Sequence, residues 1–561
     1  MLHLGLAKRL PDDYLLAQLG NNVAIPVIVA ATFAISFIYN VFIYPFYLSP
    51  LRNLPEPPNG HWIWGHTREI RDLPKGVAHE RWMHTVPNNG LMRYRYLFNV
   101  ERLVITDAKG LQEMLVTKDY DFKKPHYREA VVAPLLGAQS ILFIDGDAHK
   151  AQRRHMNPSF SQRFIRTQLP VFWRYANLLG ARLIEDNKLD SYPTTQPAPA
   201  FDMQKWSTRI TLDIMGDVGF STKFGALTET GTPIATAYGK LFGSSPSSVV
   251  RLLKMLGPVY NFEGLLTLLP SKHKKEFLRY LGIVRGACRK VVQKNRAERE
   301  FGAGLGKESL SEKEARYDDA EYVPRESSII QTLLSEEIGF SDDVLVDQCM
   351  AFLAAGHETT ASALTWGIYE LCLNPTLQRI LRSEIRGFGL HDPSINTHSM
   401  PNHQSLPQLY AFVAEILRFH PTITLNHRES LKDNTILSQP IKKGTIIKIP
   451  VLGFNHSVHE WGPTAGTFDH SRYLKQDGHG NVVYDGTGKA KSNWSLQTFN
   501  HGPRSCIGKE FAKEELTIVL AVLVGRFEWE LEREGQVVEI ERAAMFKKIK
   551  GGLMVRAKIV V

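Results

Sequence analysis

Cysteine is scarce in this chain: 561 residues contain only Cys288, Cys349, Cys372 and Cys506. They lie far apart and form no Cys-x-x-Cys pair, which argues against a disulfide framework and against a structural zinc site. Sparse, unpaired cysteine places the body of the protein in a reducing compartment. The chain also lacks a glycine-rich phosphate loop, a zinc-finger spacing and any basic-aromatic repeat, so no nucleic-acid partner is expected. No internal repeat is present. Charge is missing altogether from Tyr14 to Leu51. Within that gap the stretch from Val23 to Ile43 has about the ~20 residues a helix needs to cross a bilayer. Pro26 falls in its first turns, where proline is best tolerated. A cleaved signal peptide is the alternative, but the run is long and has no small-residue cleavage pattern. Orientation stays open on charge alone, because Lys8 and Arg9 precede the run and Arg52 follows it.

What is present suffices for a large core, with 43% hydrophobic and 22% charged residues. A net charge of +10 favours acidic partners or an anionic membrane surface. After the apolar run come Pro45, Pro50, Pro55, Pro57 and Pro58, which predict a stiff, extended connector. The expected organisation is therefore an N-terminal segment and anchor over 1–44, a proline-rich hinge over 45–59 and one body over 60–561. Residues 91–107 alternate like strands, and most of the remainder has helical periodicity. The fold class is mainly α with a smaller β region. Two polar stretches, 296–327 and 475–493, read as a surface loop and as turns.

The longest helical pattern runs from Phe340 to Pro375. Ser341 can cap it, Asp342 and Asp343 suit the positive end of its dipole, and Asn374-Pro375 ends it. It is apolar nearly all round, so it should be buried. Its middle reads Ala-Ala-Gly-His-Glu-Thr-Thr (354–360), where Gly356 and the β-branched Thr359-Thr360 pair weaken local helix propensity. Glu358 beside Thr359 is either an acid-alcohol pair able to relay protons or a satisfied buried polar cluster. A second helix, from Pro407 to Phe419, carries Glu415 and Arg418 three apart on one face, the spacing of an ordinary solvated ion pair.

Cys506 sits in Phe-Asn-His-Gly-Pro-Arg-Ser-Cys-Ile-Gly (499–508). Gly502-Pro503 force a bend, Gly508 leaves room for a close approach, and a helix begins just after. A sulfur at a helix N-terminus near Arg504 is biased toward thiolate. With no second cysteine and no zinc-type histidine nearby, one axial sulfur on a planar cofactor bearing anionic groups fits the loop.

This sequence resembles the cytochrome P-450 superfamily of haem-thiolate monooxygenases, the class in which cysteine ligates haem. The cysteine loop matches F-x-x-G-x-R-x-C-x-G at Phe499, Gly502, Arg504, Cys506 and Gly508. Ala-Gly-His-Glu-Thr-Thr matches the oxygen-activation motif, and Glu-Ile-Leu-Arg matches the E-x-x-R pair. The pattern looks most like membrane-bound members from filamentous fungi.

The resemblance implies the cytochrome P-450 fold and haem b with Cys506 as its axial iron ligand. Glu358 and Thr359 would deliver protons, and Gly356 would open the helix beside them. Glu415 and Arg418 would form a buried triad with Arg472. Arg504, Arg428, His149 and Arg153 would hold the propionates. Ala354, Ala355, Thr424, Leu425 and the loops near 120–145 and 238–270 would line the substrate cavity. Electrons would come from NADPH through a separate flavoprotein reductase, with cytochrome b5 as a further candidate donor. Lys150, Arg154, Lys509 and Lys513 are candidates for docking the reductase. The body would face the cytosol at the endoplasmic reticulum, held by a single pass. Glycans at the sequons of Asn455 or Asn493 would contradict that topology. The implied reaction inserts one oxygen atom from O2 into a lipophilic molecule, with terpenoid or polyketide biosynthesis as one setting and fatty acids, sterols or xenobiotics as others. A haem-thiolate isomerase or lyase is the rival class, and Glu358-Thr359 counts against it. Two positions depart from the usual pattern: His470-Ser471 replaces Pro-Glu before Arg472, and His149 stands where tryptophan is common.

Overall fold

The computed structural model describes residues 26–560 apart from 126–131, 192–197, 230, 244–271, 305–327, 335–338, 395–401 and 543–544. The parts of the expected substrate loops at 126–131 and 244–271 lie outside the described residues. The apolar N-terminal stretch is helix α1 (Pro26–Leu48), and its first half touches little else. It does not end at residue 44. It continues through Pro45 by widening to π-helical turns over Tyr39–Leu48. Proline has no amide to offer the carbonyl of Val41, and the Asn99 side chain donates to that carbonyl instead at 3.0 Å. Arg93 donates to the Pro45 carbonyl at 2.8 Å. The expected hinge is likewise tied down, since Leu51 is core and Glu56 pairs with both Arg93 and Arg95.

Strands β1 (Leu91–Arg95) and β2 (Glu101–Ile105) form the antiparallel hairpin that the alternation predicts. With β3 (Phe122–Lys123), β4 (Asn426–Ser430) and β5 (Ile446–Ile449) they build a sheet in the order β1-β2-β5-β4-β3. A smaller core of Leu, Ile and Phe lies against it.

The large core belongs to helices. These are α2 (Gly146–Met156), α3 (Gln162–Asn187), α4 (Met203–Ile214), α5 (Pro233–Gly243), α6 (Lys272–Gly304), α7 (Asp342–Leu373), α8 (Pro375–Gly387), α9 (Pro407–Phe419) and α10 (Lys509–Arg526). The molecule is mainly α, as expected. Residues 296–304, the start of the 296–327 stretch read from sequence as loop, complete α6, and the remainder of that stretch lies outside the described residues. Helix α7 is the axis. Ser341 caps it by accepting from the Val344 amide, and its 32 residues at ~1.5 Å each cross about 48 Å of protein. It packs on α4, α9 and α10, and α10 packs in turn on α3 and α8.

Gly356 does not open α7, which is continuous. A Cβ there would come within 2.1 Å of the Met215 Cε, so the missing side chain lets Met215 pack closely against the helix. The threonines return their hydroxyls to the preceding turn, Thr359 to Ala355 O at 2.6 Å and Thr360 to Gly356 O at 3.0 Å.

Candidate active site

Cys506 lies between a single 3-10 turn (Gly502–Arg504) and α10. Gly502 has φ +75°, and a Cβ there would come 1.9 Å from the Leu115 carbonyl oxygen, so the bend requires glycine. The Cys506 amide donates to Phe499 O at 2.8 Å, closing the loop. Arg153 of α2 donates to Ser505 O at 2.7 Å and fixes the loop from the other side. At Gly508 an added Cβ would meet only Phe160 among the described residues, at 4.0 Å.

Cys506 is exposed, yet its thiol pKa is pushed up, first by desolvation; the Gly508 amide, Arg153 and Lys509 lower it by less. The two properties agree if the sulfur opens into an enclosed space and not onto the outer surface. The expectation of a thiolate biased by Arg504 is therefore corrected twice. The nearby cation is Arg153, and burial outweighs it, so ionisation of this sulfur calls for a bound cation. Arg504 is turned away, donating to Asp145 at 2.6 Å and to Ile144 O at 3.1 Å.

A second cluster stands beside this space. His149 is buried and its Nδ1 lies 3.2 Å from the Tyr120 hydroxyl. Desolvation, then Arg504, Arg153, Lys124 and Arg428, lower its pKa to about 4, so it is a neutral imidazole. Tyr120 engages Nδ1, which leaves Nε2 for a further partner. Arg428 is buried with an unpartnered Nε, and burial brings its pKa down to about 10. The carboxylates near Arg428 are Asp119 and Asp145, and burial raises the pKa of Asp119. Four cations thus meet two carboxylates. That leaves a demand for further negative charge of the size two carboxylates supply. An exposed sulfur in a fixed loop, with surplus cations near it, fits a haem and its propionates. Arg153 also donates to Ser505 O and to Asn157, as Arg504 does to Asp145 and to Ile144 O. Lys124, which sequence reading missed, belongs to the cationic set.

On α7, Ala355 is exposed in the middle of an otherwise buried rod, and Thr359, one turn on, is half-buried. Ala354 is fully buried and faces the core, so it is removed from the expected lining. Thr424 and Leu425 are also buried. The Thr424 hydroxyl donates to Lys75 O at 2.6 Å and its Cβ packs on Gly76, which ties it to the 74–77 loop.

Glu358 faces a different side. Its Oε2 lies 2.5 Å from Nζ of Lys548, and its Oε1 lies 3.4 Å from Nε2 of His357. Burial acts to raise its pKa, but His357 and then Lys548 overcome that and hold the carboxyl at about 2. His357 donates from Nδ1 to Leu353 O at 2.6 Å, which turns Nε2 toward the carboxylate. Glu358 and Lys548 line a half-open cleft of about 610 Å³ together with polar residues such as Gln204, Lys205 and Thr208. No sequence signal announces Lys548, whose pairing is purely tertiary.

The third expected group assembles completely. Glu415 receives two hydrogen bonds from Arg418, each 2.7 Å, and one from Arg472 at 3.1 Å. All three side chains are buried. His470-Ser471 does not disturb the arrangement: the Asp469 amide donates to Glu415 at 2.8 Å, and Asp469 caps the Ser471 turn. Asn455 is fully buried and bonded to Arg418 O and Thr498, so of the two sequons only Asn493 lies exposed to accept a glycan.

A family model for cytochrome P450 matches residues 55–556. The chain belongs to the cytochrome P450 family. It is similar to curated cytochrome P450 monooxygenases from filamentous fungi. One is sphH of Aspergillus fumigatus, 34% identical over 94% of this chain and 92% of the relative. Another is ALT8 of Alternaria alternata, 32% identical over 93% and 92%. A third is FUM15 of Gibberella moniliformis, 32% identical over 93% and 90%. This cytochrome P450 is a haem-thiolate monooxygenase, an oxidoreductase.

Proposed function

We propose that this cytochrome P450 inserts one oxygen atom from O2 into a lipophilic small molecule, with electrons from NADPH passed on by a separate flavoprotein reductase. Its setting is secondary-metabolite biosynthesis, on terpenoid or polyketide substrates; the fungal origin of its relatives supports that class. Single-pass anchoring by α1 with the body on the cytosolic face of the endoplasmic reticulum completes the reading, and an unmodified Asn493 is the outcome it requires.

Cys506 would hold the iron through its sulfur, and Arg428, Arg504, Arg153, Lys124 and Nε2 of His149 would face the propionates. When bound, haem supplies the reductive activation of O2. The residues of the chain supply the rest. The Cys506 amide bond to Phe499 O and the Arg153 bond to Ser505 O fix the loop before any ligand arrives. Thr359 donates to Ala355 O, which leaves its oxygen free to accept a proton-bearing partner at the exposed turn of α7.

The observation that carries the proposal is the placing of Glu358. It is a buried carboxylate beside Thr359, kept ionised, and it meets the cleft through Lys548, which keeps part of its side chain exposed. Successive residues on a helix point about 100° apart, so Glu358 faces the cleft while Thr359 faces the Ala355 side. A proton taken up at Oε2 reaches Thr359 when the carboxyl leaves Lys548 and turns, or through one water.

The test is turnover in membranes holding this protein and a reductase, under heavy-isotope O2, with products read by mass. Label entering product only with NADPH is the expected result. Conversion without label or NADPH would move the chain to the isomerase class.

A further inference from the structure

We infer that the junction between α1 and the β1–β2 hairpin is a binding site for one anionic phospholipid of the bilayer that α1 crosses. The inference rests on α1 lying in a membrane. A half-open groove of about 480 Å³ runs between the helix and the body, within the range of small-molecule sites. One wall is the stripe Phe33, Phe37, Val41 and Tyr44, spaced four, four and three residues apart and therefore on one face of the helix. The opposite wall is the hairpin tip. Phe98 there has φ +55°, a conformation unusual for so bulky a residue, and its ring meets Phe37 edge-on at 5.5 Å. Asn99 is fully buried and its amide bonds both Val41 O and Trp62 O, so the tip is locked to the helix and the groove is a built feature.

Polarity along the groove is graded. Phe33 lies eleven residues before Tyr44, which at ~1.5 Å per residue puts it about 16 Å deeper. Its end is apolar. The end nearest the body carries Arg102, Lys442 and Lys443, and Lys442 is within electrostatic reach of Tyr44. Near the two lysines, Asp433 is engaged, and Glu101 is engaged elsewhere. Asp433 pairs with Lys442 at 2.6 Å and accepts from the Lys443 amide, while Glu101 pairs with Arg93 at 2.8 Å. The Lys443 ammonium makes no ion pair with any described residue. An apolar channel that opens along the membrane helix and ends at the Lys443 ammonium suits an acyl chain below a phosphate-bearing anionic headgroup. A neutral zwitterion would leave that charge unanswered. The occupant also has to reach the groove from the bilayer, because one wall of the groove is the spanning helix.

The test uses the full-length holoprotein in nanodiscs of mixed phosphatidylserine and phosphatidylcholine, with retained lipid read by native mass spectrometry after extraction. One phosphatidylserine retained per chain, in excess over its share of the disc, is expected. Lys443→Glu should reduce that retention by at least about fivefold, the effect of a single lysine at an anionic surface. Lys475→Glu, exposed on the distant 474–484 hairpin, should leave it unchanged. Ser36→Trp, which fills the groove at mid-depth without altering charge, should displace lipid of either kind. Retention in proportion to disc composition, or equal losses in the Lys443 and Lys475 variants, would overturn the site. Failure of the wild-type chain to enter the disc would instead overturn the membrane reading of α1, and the site with it.

Discussion

Two buried carboxylates in this molecule are each held by two basic side chains, and they are held in different ways. Glu415 meets guanidinium groups whose geometry matches it. All five N–H groups of Arg418 are used, two on Glu415 and three on the carbonyls of Asn455, Ala465 and Thr467. Glu358 meets an ammonium on a flexible stem and an imidazole. Neither of its oxygens receives a well-aligned hydrogen bond among the described residues, although Lys548 and His357 are close. Lys548 keeps 16% of its side chain exposed, whereas Arg418 keeps none. Composition alone does not separate a structural clamp from a working one. Denticity and access to water do: the first carboxylate cannot move without stranding several partners, and the second can.

The largest effect should come from the locked site. Arg418→Lys replaces five fixed N–H donors with at most three, strands acceptors among Glu415 and the three carbonyls in the core, and should cost about 3–5 kcal/mol, read as a lower denaturant midpoint in unfolding. A midpoint unchanged from wild type would show that the clamp is dispensable and erase the contrast. Next is Thr359→Ala, which removes the hydroxyl from the relay while leaving the helix intact. Product formed per NADPH consumed should fall on the order of 10²-fold, with peroxide released instead. Unchanged coupling would take Thr359 out of the proton path. Smallest is charge reversal at Lys150 and Arg154, exposed on α2, which should slow electron delivery and flatten its salt dependence with little change in the bound-state rate. Reduction kinetics against ionic strength decide this, and superimposable curves would remove α2 as the docking face.

Much of the site was legible because its signals are local. The cysteine loop, the Glu358-Thr359 step and the Glu415-Arg418 spacing each fit within one turn or one helix, where spacing fixes which side chains can meet. What stayed hidden depends on chain segments far apart in sequence. Lys548 reaches Glu358, and Lys124 joins Arg428, only through the tertiary fold. Nearness in sequence also misled: Arg504 is two residues from Cys506 but turned to Asp145, while Arg153 of α2 is the cation at the loop. Pro45 read as the end of a helix because the compensating donor, Asn99, lies on a different element. Gly356 read as a helix opening because Met215 could not be placed against it.

The most direct test of the movable carboxylate is the pH profile of product formed per NADPH in wild type and in Lys548→Met. In the wild type Glu358 has a pKa of about 2, depressed from the usual carboxylate range, so its ionised form and the stability that form contributes persist until pH falls toward that value. Removing Lys548 leaves burial opposed by His357 alone and raises that pKa. The acid limb of the variant should therefore move up in pH, while Arg472→Lys in the locked clamp should lower stability and leave the limb in place. Superimposable profiles for wild type and Lys548→Met would contradict a working role for the Glu358 clamp.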